Sequence, residues 1–396
     1  MRYTIGEMAE IIDGDRGKNY PQQHEFLDEG YCLFLNTGNV TKAGFSFDSN
    51  QFISKEKCDL LRKGKLQRHD IVYTTRGTVG NAAYYSDSIP YEHVRINSGM
   101  VIIRPKEAIV CTEFLYQILK SDYYRPFFRK HCTGSAQPQL PIKNFSTIEL
   151  DLPDLPVQCR IAGILSTYDD LIENNQKQIK LLEEAAQRLY KEWFVDLRFP
   201  GHENVKIVDG VPKGWREQSL YQIADVVMGQ SPKSEYYNQV GEGLPFHQGV
   251  GSYGNRFVSD ETYSTSFTRI AEAGSVLFSV RAPVGRLNLT KNKVVIGRGL
   301  AAINHRRGAQ SYLFYLLKEK FFRDDIIGNG SIFASISKEE LLNQKFLIPI
   351  DSLVGLFNGI AGGIDKKIDI LSEQSRLLTE TRNRLLPKLM SGETEV

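Results

Sequence analysis

The sequence contains few cysteines, no long hydrophobic run and almost no net charge. Its five cysteines are odd in number, widely spaced and free of any Cys-x-x-Cys pair, so neither a disulfide framework nor a zinc site is indicated. No segment approaches the roughly 20 apolar residues that cross a bilayer, and the first residues form no apolar signal segment. We therefore expect a reduced, cytoplasmic protein without a membrane partner. The net charge of +2 argues against a general polyanion-binding coat but allows a local basic face.

Known catalytic motifs are also missing from the sequence. The chain has no Asp/Asn-Pro-Pro-Tyr/Phe tetrapeptide of the kind with which amino-methyltransferases hold a flipped base. The seven histidines form no His-Glu-x-x-His pattern, and residues 14–18 lack the spacing of a phosphate-binding loop, so this segment is interpreted as a turn. We predict no catalytic residue and no metal site in this chain.

What the sequence does contain is a long internal repeat. The separation between matched positions falls from 215 near the start to 196 at the end, so the first copy carries about 19 more residues, placed in loops. Loops on a shared scaffold are where binding differences accumulate, so two such modules predict two different half-targets. The matched pairs are residues 5–14 with 220–229, 70–80 with 274–285, 99 with 299, and 153 with 349.

Each copy of the repeat is predicted to mix helices and strands. An opening short helix is followed by short strands, of which residues 70–75 and 95–104 are β-branched and punctuated by glycine. Helical patterns follow at 113–131 and 310–327, and each copy ends at a proline.

After each copy, about forty residues carry apolar side chains in an alternating spacing of four and three, which predicts two long helices. If the helices run antiparallel, with facing positions summing to 550, Asn175 faces Ser375, Trp193 faces Phe357, and Tyr168 faces Arg382 as a cation–π contact. A parallel pair would instead place polar residues against aliphatic ones, so we predict antiparallel pairing and approximate two-fold symmetry. The alternative is two separate amphipathic helices, each packed on its own module. The predicted helix-pairing residues are Ile161, Leu165, Ile172, Asn175, Leu182, Trp193, Phe357, Ile368, Ser375, Leu378 and Leu385.

Several motifs, in order along the chain, resemble those of one family. Residues 189–196 read Leu-Tyr-Lys-Glu-Trp-Phe-Val-Asp, followed by Phe199-Pro200 and by Val-Pro-Lys-Gly-Trp at 211–215, and residues 385–392 read Leu-Leu-Pro-Lys-Leu-Met-Ser-Gly. Together with the Gly-Ser pairs at 134–135 and 330–331, this pattern resembles the specificity subunits of type I restriction–modification systems. The sequence departs from the family in the second copy, which lacks the helix-opening proline motif that the first copy has at 156–159.

The resemblance implies an α+β architecture. Two similar mixed α/β target-recognition domains are separated by two long antiparallel coiled-coil helices with pseudo-two-fold symmetry. The implied segments are target-recognition domain 1 at 1–154, long helix 1 at 155–197, a linker at 198–215, target-recognition domain 2 at 216–350 and long helix 2 at 351–392.

The resemblance also implies a non-catalytic subunit that recognises a bipartite sequence in double-stranded DNA, one half-site per domain. Its expected partners are two methyltransferase subunits, which would use S-adenosylmethionine, and restriction/translocase subunits. No cofactor is expected in this chain. Two other hypotheses stay open: a coiled-coil scaffold that does not bind DNA, and a recognition chain of a fused restriction/methylation enzyme.

Candidate DNA-contacting residues are polar side chains in glycine-containing loops. Arg76 and Arg281 occupy matched positions just after a strand, where arginine could bond a guanine edge, neutralise a phosphate or form only a surface salt bridge. Asparagine and glutamine side chains could pair with adenine. The complete set is Asn36, Thr37, Asn39, Thr75, Arg76, Gln137, Gln139 and Lys143 in the first module, and Gln248, Tyr253, Asn255, Arg256, Ser279, Arg281, Phe333 and Ser335 in the second.

Overall fold

The computed structural model describes residues 1–134, 137–321, 335–391 and 393–394. The chain forms two compact units: unit 1 comprises Met1–Asn175 and Glu373–Val396, and unit 2 comprises Gln176–Ser372. Each unit combines one copy of the repeat with part of each long helix, so the five-segment division of the chain stays a prediction. Among the helices of the described ranges, none is both long enough and apolar enough to cross a bilayer.

Unit 1 opens with a strand, one helical turn and a second strand. Thr4 begins the turn, because its side chain accepts a hydrogen bond from the N–H of Glu7 and the Glu7 carboxylate bonds back to the N–H of Thr4. The strands are β1 (Arg2–Thr4), β2 (Ala9–Asp13), β3 (Cys32–Leu35), β4 (Val40–Thr41), β5 (Gly44–Phe45), β6 (Phe52–Ile53), β7 (Ile71–Thr74), β8 (Ala82–Tyr84), β9 (Val94–Ile96), β10 (Met100–Pro105) and β11 (Glu149–Asp151). The helices are α1 (Ile5–Met8), α2 (Lys55–Leu60), α3 (Thr112–Lys120), α4 (Arg125–Arg129), α5 (Ile142–Ser146) and α6 (Leu155–Tyr190), whose second part belongs to unit 2.

The central sheet of unit 1 is antiparallel, with strand order β2-β10-β7-β8. Side chains alternate along it: Tyr73 is buried with the helices, whereas Val72 is buried against the second sheet, β6-β3-β9. In that second sheet β3 runs parallel to β9, with Leu35 opposite Ile96. The ends of β2, β3, β7 and β9 and the start of β10 therefore lie together. We call this region the loop end of unit 1, formed by residues 13–18, 36–39, 75–80 and 97–99.

Two predicted elements of the first module are each divided in two. The strand expected at 95–104 is interrupted between β9 and β10, where the Asn97 side chain accepts a hydrogen bond from the N–H of Gly99 at 2.9 Å and forms a turn. The helix expected at 113–131 is divided into α3 and α4. Pro126 lies in the first turn of α4, where its missing N–H is tolerated.

Unit 2 contains a second copy of the opening strand, helical turn and strand, but adds a hairpin before them and has no helix matching α2 among its described residues. Its strands are β12 (Ile207–Val208), β13 (Val211–Pro212), β14 (Arg216–Ser219), β15 (Ala224–Met228), β16 (Tyr237–Asn238), β17 (Leu244–His247), β18 (Tyr263–Ser264), β19 (Ile270–Ala271), β20 (Val276–Ser279), β21 (Leu287–Leu289), β22 (Val294–Ile296), β23 (Leu300–His305) and β24 (Lys345–Ile348). Its helices are α7 (Leu220–Ile223), α8 (Gln310–Phe321) and α9 (Lys338–Leu342), followed by α10 (Asp351–Met390), whose last part belongs to unit 1.

The central sheet of unit 2 has the order β15-β23-β20-β21 and the same register as its counterpart. Ser279 lies opposite Leu300, as Thr74 lies opposite Met100 in unit 1. β17 runs parallel to β22, as β3 does to β9. The internal repeat is thus confirmed as two modules of one fold, and the loop end of unit 2 comprises residues 228–233, 248–252, 280–285 and 297–299.

Matched glycines allow the backbone to close at each loop end. A Cβ added to Gly14 would lie 2.3 Å from the carbonyl oxygen of Asn97, and one added to Gly229 would lie 2.1 Å from that of Gly297. Only glycine permits these approaches, which place the segment after β2 or β15 against the turn that precedes β10 or β23.

The long helices pair antiparallel within unit 1. Ile161 and Leu165, near the start of α6, are buried in the same apolar cluster as Leu389, near the end of α10. Arg382 donates a hydrogen bond to Asp169 at 2.6 Å. This ion pair replaces the predicted contact between Tyr168 and Arg382, because a carboxylate one position further along satisfies the guanidinium directly.

The pairing is also antiparallel within unit 2. The rings of Trp193 and Phe357, which were predicted to face each other, lie 5.9 Å apart. Ala186 and Ala361 are buried in the same cluster. Of the predicted pairing residues, Ile161, Leu165, Asn175, Trp193, Phe357 and Ile368 are buried, and Ile172, Leu182, Ser375, Leu378 and Leu385 are half-buried.

Candidate nucleic-acid interface

A tight turn follows strand β7 of unit 1 and presents Arg76. The hydroxyl of Thr74, the last residue of β7, holds this turn: it donates to the carbonyl oxygen of Thr78 at 2.5 Å and accepts from the N–H of Asn81 at 2.9 Å. The turn carries Arg76 in a half-buried position at the loop end.

Unit 2 builds the matching turn in the same way. The hydroxyl of Ser279 donates to the carbonyl oxygen of Pro283 at 2.6 Å and accepts from the N–H of Arg286 at 2.8 Å. Arg281 is exposed on this turn. Ser279 therefore has the structural role of Thr74.

Three separate segments of unit 1 meet around Gly99. Its carbonyl oxygen accepts hydrogen bonds from the N–H groups of Thr75 at 2.9 Å and Arg76 at 3.1 Å. Arg76 forms a backbone bridge with Gln139, and the methyl group of Thr37 would lie 2.7 Å from a Cβ on Gly99. The structure thus brings Thr37, Arg76 and Gln139 together at the loop end.

The same three segments meet around Gly299 in unit 2. The carbonyl oxygen of Gly299 accepts from the N–H of Val280 at 2.9 Å, and its own N–H donates to the carbonyl oxygen of Gln248 at 3.1 Å. Arg281 forms a backbone bridge with Ser335. Gln248, Arg281 and Ser335 are all exposed, so the two modules present different side chains from one backbone frame.

Four predicted contacts are buried and bonded within the protein. Asn39 donates to the carbonyl oxygens of Ser46 and Ser49 at 3.0 and 2.9 Å, which fixes its loop. Thr75 bonds through its hydroxyl to Gly99, and Ser279 has the role described above. This placement favours structural roles for Asn39, Thr75, Ser279 and Arg256.

Arg256, which was predicted to contact DNA, instead forms a buried ion-pair network in unit 2. Its side chain is 3% exposed and pairs with Asp365 and, at 3.4 Å, with Glu183. Burial opposes its charge, but Tyr315, Asp365 and Glu183 outweigh that effect and hold the pKa of Arg256 above its ordinary value. The guanidinium also lies 4.5 Å from the ring centre of Phe314.

The remaining candidates are distributed unevenly. Gln137 and Asn255 are exposed, and Asn36 and Tyr253 are half-buried. Asn255 and Tyr253 line a cavity of about 350 Å³ together with Pro283 from the Arg281 turn. Lys143 is exposed on α5, whose Ser146 lies against Gly6 of α1, so it is away from the loop end. Phe333 lies outside the described residues.

Two exposed arginines at the loop ends were missing from the predicted set. Arg16 donates to the carbonyl oxygen of Ser98 at 3.3 Å. Arg298 occupies the position that matches Ser98, and its side chain is exposed. The backbone N–H of Arg298 bonds to Ser231 at 3.2 Å. The matched glycines at 14 and 229 were the available signal, since their close approach to residues 97 and 297 is what places these arginines here.

Comparison with known proteins defines the class of this two-module fold. The sequence profile of the type I restriction modification DNA specificity domain matches residues 1–184 and, a second time, residues 212–381. These matches span most of the chain, and the protein belongs to this family, with two copies of its domain.

The chain is also similar to individual members of the family over nearly its whole length. The putative type I restriction enzyme MjaX specificity subunit of Methanocaldococcus jannaschii is 26% identical over 385 residues, which cover 90% of this chain and 89% of the relative. The HindI specificity subunit of Haemophilus influenzae is 22% identical over 467 residues, which cover 98% and 100%. The crystal structure of the type I restriction–modification S subunit from M. genitalium shares the fold, with a TM-score of 0.60 and 16% identity over 98% of this chain and 96% of that one.

Proposed function

We propose that this protein is the DNA sequence-recognition subunit of a type I restriction–modification complex and reads a bipartite target, one half-site with each loop end. The observation that carries the proposal is the meeting of three separate segments around Gly99 and around Gly299 with different side chains on the same frame. A shared frame with different side chains is what two different half-sites require.

The exposed side chains have the chemistry of base-edge readout. An arginine can form two hydrogen bonds with guanine, and a glutamine can form two with adenine, each worth about 1–3 kcal/mol of discrimination. Arg76 with Gln139 offers this combination in unit 1, and Arg281 with Gln248 offers it in unit 2. Contacts with phosphates would fix the register of each module on the duplex.

The proposed subunit is non-catalytic. Methylation would be performed by two methyltransferase subunits that bind S-adenosylmethionine, and cleavage by restriction/translocase subunits. This chain would select the site and hold no cofactor. The exposed faces of α6 and α10 are the surfaces available to such partners.

Selection of bound sequences from a random double-stranded DNA library tests the proposal. The full chain, co-expressed with the methyltransferase subunits, should enrich a two-part motif. Arg76→Ala should relax base preference in one half of the motif only, and Arg281→Ala in the other half only. Arg2→Ala is the matched control, because Arg2 is exposed and pairs with Asp151 on a surface ion pair. Enrichment of no motif by the wild-type protein would contradict the proposal.

A further inference from the structure

A buried carboxylate joins two basic segments at the loop end of unit 1. Asp15 is 6% exposed, and its two oxygens accept hydrogen bonds from the N–H groups of Gly17 and Arg62, each at 2.7 Å. Burial opposes its ionisation, but these bonds and one from the N–H of Lys63 outweigh it, so the pKa of Asp15 lies below its ordinary value. Asp15 therefore ties the turn after β2 to the segment after α2.

The segments that Asp15 joins carry three exposed cations around an open cleft. Arg16, Arg62 and Lys63 line a surface cleft of about 520 Å³ together with the backbone of the turn. The Arg62 guanidinium lies 3.0 Å from the position of a Cβ on Gly17, so it covers the turn. Asp13 pairs with Arg16 at 3.1 Å, which leaves the cleft with more positive than negative side chains.

The cleft adjoins the recognition surface. Arg16 donates to the carbonyl oxygen of Ser98, and the next residue, Gly99, holds Arg76 through its carbonyl oxygen. A duplex whose bases meet Arg76 would thus bring its backbone to Arg16 and Arg62. Lysine and arginine side chains beside a base-reading surface are the groups that neutralise phosphates and set register.

We propose that Arg16, Arg62 and Lys63 form a phosphate-binding site for the DNA backbone in the first module, and that Asp15 is the residue that positions it. This inference rests on the proposed function and assigns a role to the glycine-rich segment at 14–18, which the sequence alone identified only as a turn. The ligand is a phosphodiester of the bound duplex, because the cleft is open and continuous with the loop end.

The second module lacks this pair of cations at the matched positions. Gly64 and Arg269 hold the same backbone position, since their carbonyl oxygens accept the N–H groups of Ile96 and Ile296. Phe267 and Thr268 therefore stand where the first module has Arg62 and Lys63. The two modules should differ in how strongly their DNA binding depends on salt at this position.

The salt dependence of DNA binding tests the phosphate assignment. With the full chain, co-expressed with methyltransferase subunits, and its selected duplex, log affinity is measured against log salt concentration. Arg62→Ala and Lys63→Ala should each reduce the magnitude of the slope by about 1 and leave base preference unchanged. Arg2→Ala, the charge-matched control outside the loop end, should leave the slope unchanged. An unchanged slope in both test variants, or altered base preference in either, would overturn the assignment.

Asp15→Asn tests the positioning role through the sign of its effect. The substitution removes a negative charge, so a purely electrostatic effect would strengthen DNA binding. If Asp15 positions the cations, affinity should instead fall several-fold while the thermal unfolding of the protein still shows a folded chain. Asp59→Asn removes the same charge at an exposed position of α2 and should leave the affinity for DNA unchanged or slightly raised. Equal effects of the two substitutions would overturn the positioning role.

Three further outcomes separate this inference from its alternatives. ATP and inorganic pyrophosphate are titrated into the full chain by calorimetry; binding that Arg62→Ala abolishes, with the DNA salt slope unchanged, would mark a soluble phosphate ligand and overturn the DNA assignment. A wild-type protein with no sequence-specific DNA binding would overturn the proposed function and this inference together. Specific wild-type binding that these variants do not change would overturn this inference alone.

Discussion

The buried pair of Arg256 and Asp365 gives a prediction that separates a structural from a DNA-contacting arginine. Arg256 is 3% exposed, Asp365 is 18% exposed, and Tyr315 donates to the same carboxylate at 3.0 Å. Asp365→Leu would leave the guanidinium buried with Glu183 as its remaining carboxylate partner, at 3.4 Å. Removing one partner of a buried ion pair costs about 3–5 kcal/mol, and we expect the lower end because Glu183 remains.

This loss should be visible as a change in melting temperature. For a unit of the size of residues 176–372, each kcal/mol corresponds to about 2–4 °C, so Asp365→Leu should lower the melting transition of unit 2 by roughly 6–12 °C. Arg256→Met should have an effect of similar size. The double variant should be less destabilised than either single one, because only Glu183, whose side chain is 28% exposed, then lacks its charged partner.

Differential scanning calorimetry of the full chain is the assay, with the exposed pair of Asp225 and Arg306 as the control. Asp225→Leu should change stability by less than about 1 kcal/mol, since surface ion pairs contribute little. The reasoning is refuted if Arg256→Met leaves the melting temperature unchanged and abolishes DNA recognition by the second module. That result would restore Arg256 as a DNA contact.

Three other predictions concern stability. Gly14→Ala should prevent the close approach to Asn97 and lower the melting temperature strongly. Gly163 lies at an exposed position of α6, where an added Cβ would meet no neighbouring side chain within 4 Å, so Gly163→Ala should raise stability by about 0.5–1 kcal/mol. Calorimetry of both variants tests this contrast. His305 accepts two backbone hydrogen bonds through Nδ1, and burial lowers its pKa from 6.5. The unfolded chain therefore binds the proton at a higher pH than the folded chain, so the free energy of unfolding should fall as the pH drops below about 6.5. Urea unfolding at pH 7 and pH 5 should show a smaller decrease in this free energy for His305→Asn than for the wild type. Burial opposes the ionisation of Asp169, but Lys120, Gln117 and Arg382 hold its pKa below 3.8. Its stabilising effect should therefore be complete at pH 5 and be lost progressively as the pH falls below about 3.8, as the same unfolding series extended to pH 3 would show.

The features that follow from local patterns were predictable from the sequence. The repeat and the shift in its offset correspond to two sheets with the same strand order and register. The antiparallel pairing followed from placing Asn175 opposite Ser375, and the contact of Trp193 with Phe357 agrees with it. Such inferences need only spacing and the polarity of a few side chains.

The features that depend on distant partners were not predictable. Arg256 sits in a glycine-containing loop, as a DNA contact would, but its partners Glu183 and Asp365 are far away in the chain. Asn39 is similar, because nothing in its sequence neighbourhood indicates that its amide is buried. Ser279 shows a second limit: the matched strands identify the turn, but only the hydrogen bonds show that the Ser279 hydroxyl is bonded within it.

Base-resolution methylation sequencing tests the central claim most directly. Genomic DNA is compared from the host with this gene intact, with the gene deleted, and with Arg76→Ala or Arg281→Ala in its place. The account predicts a two-part motif with methylated adenine that disappears on deletion and loses specificity in one half only with each arginine variant. A two-part methylated motif that persists unchanged after deletion would contradict the claim that this chain selects the site.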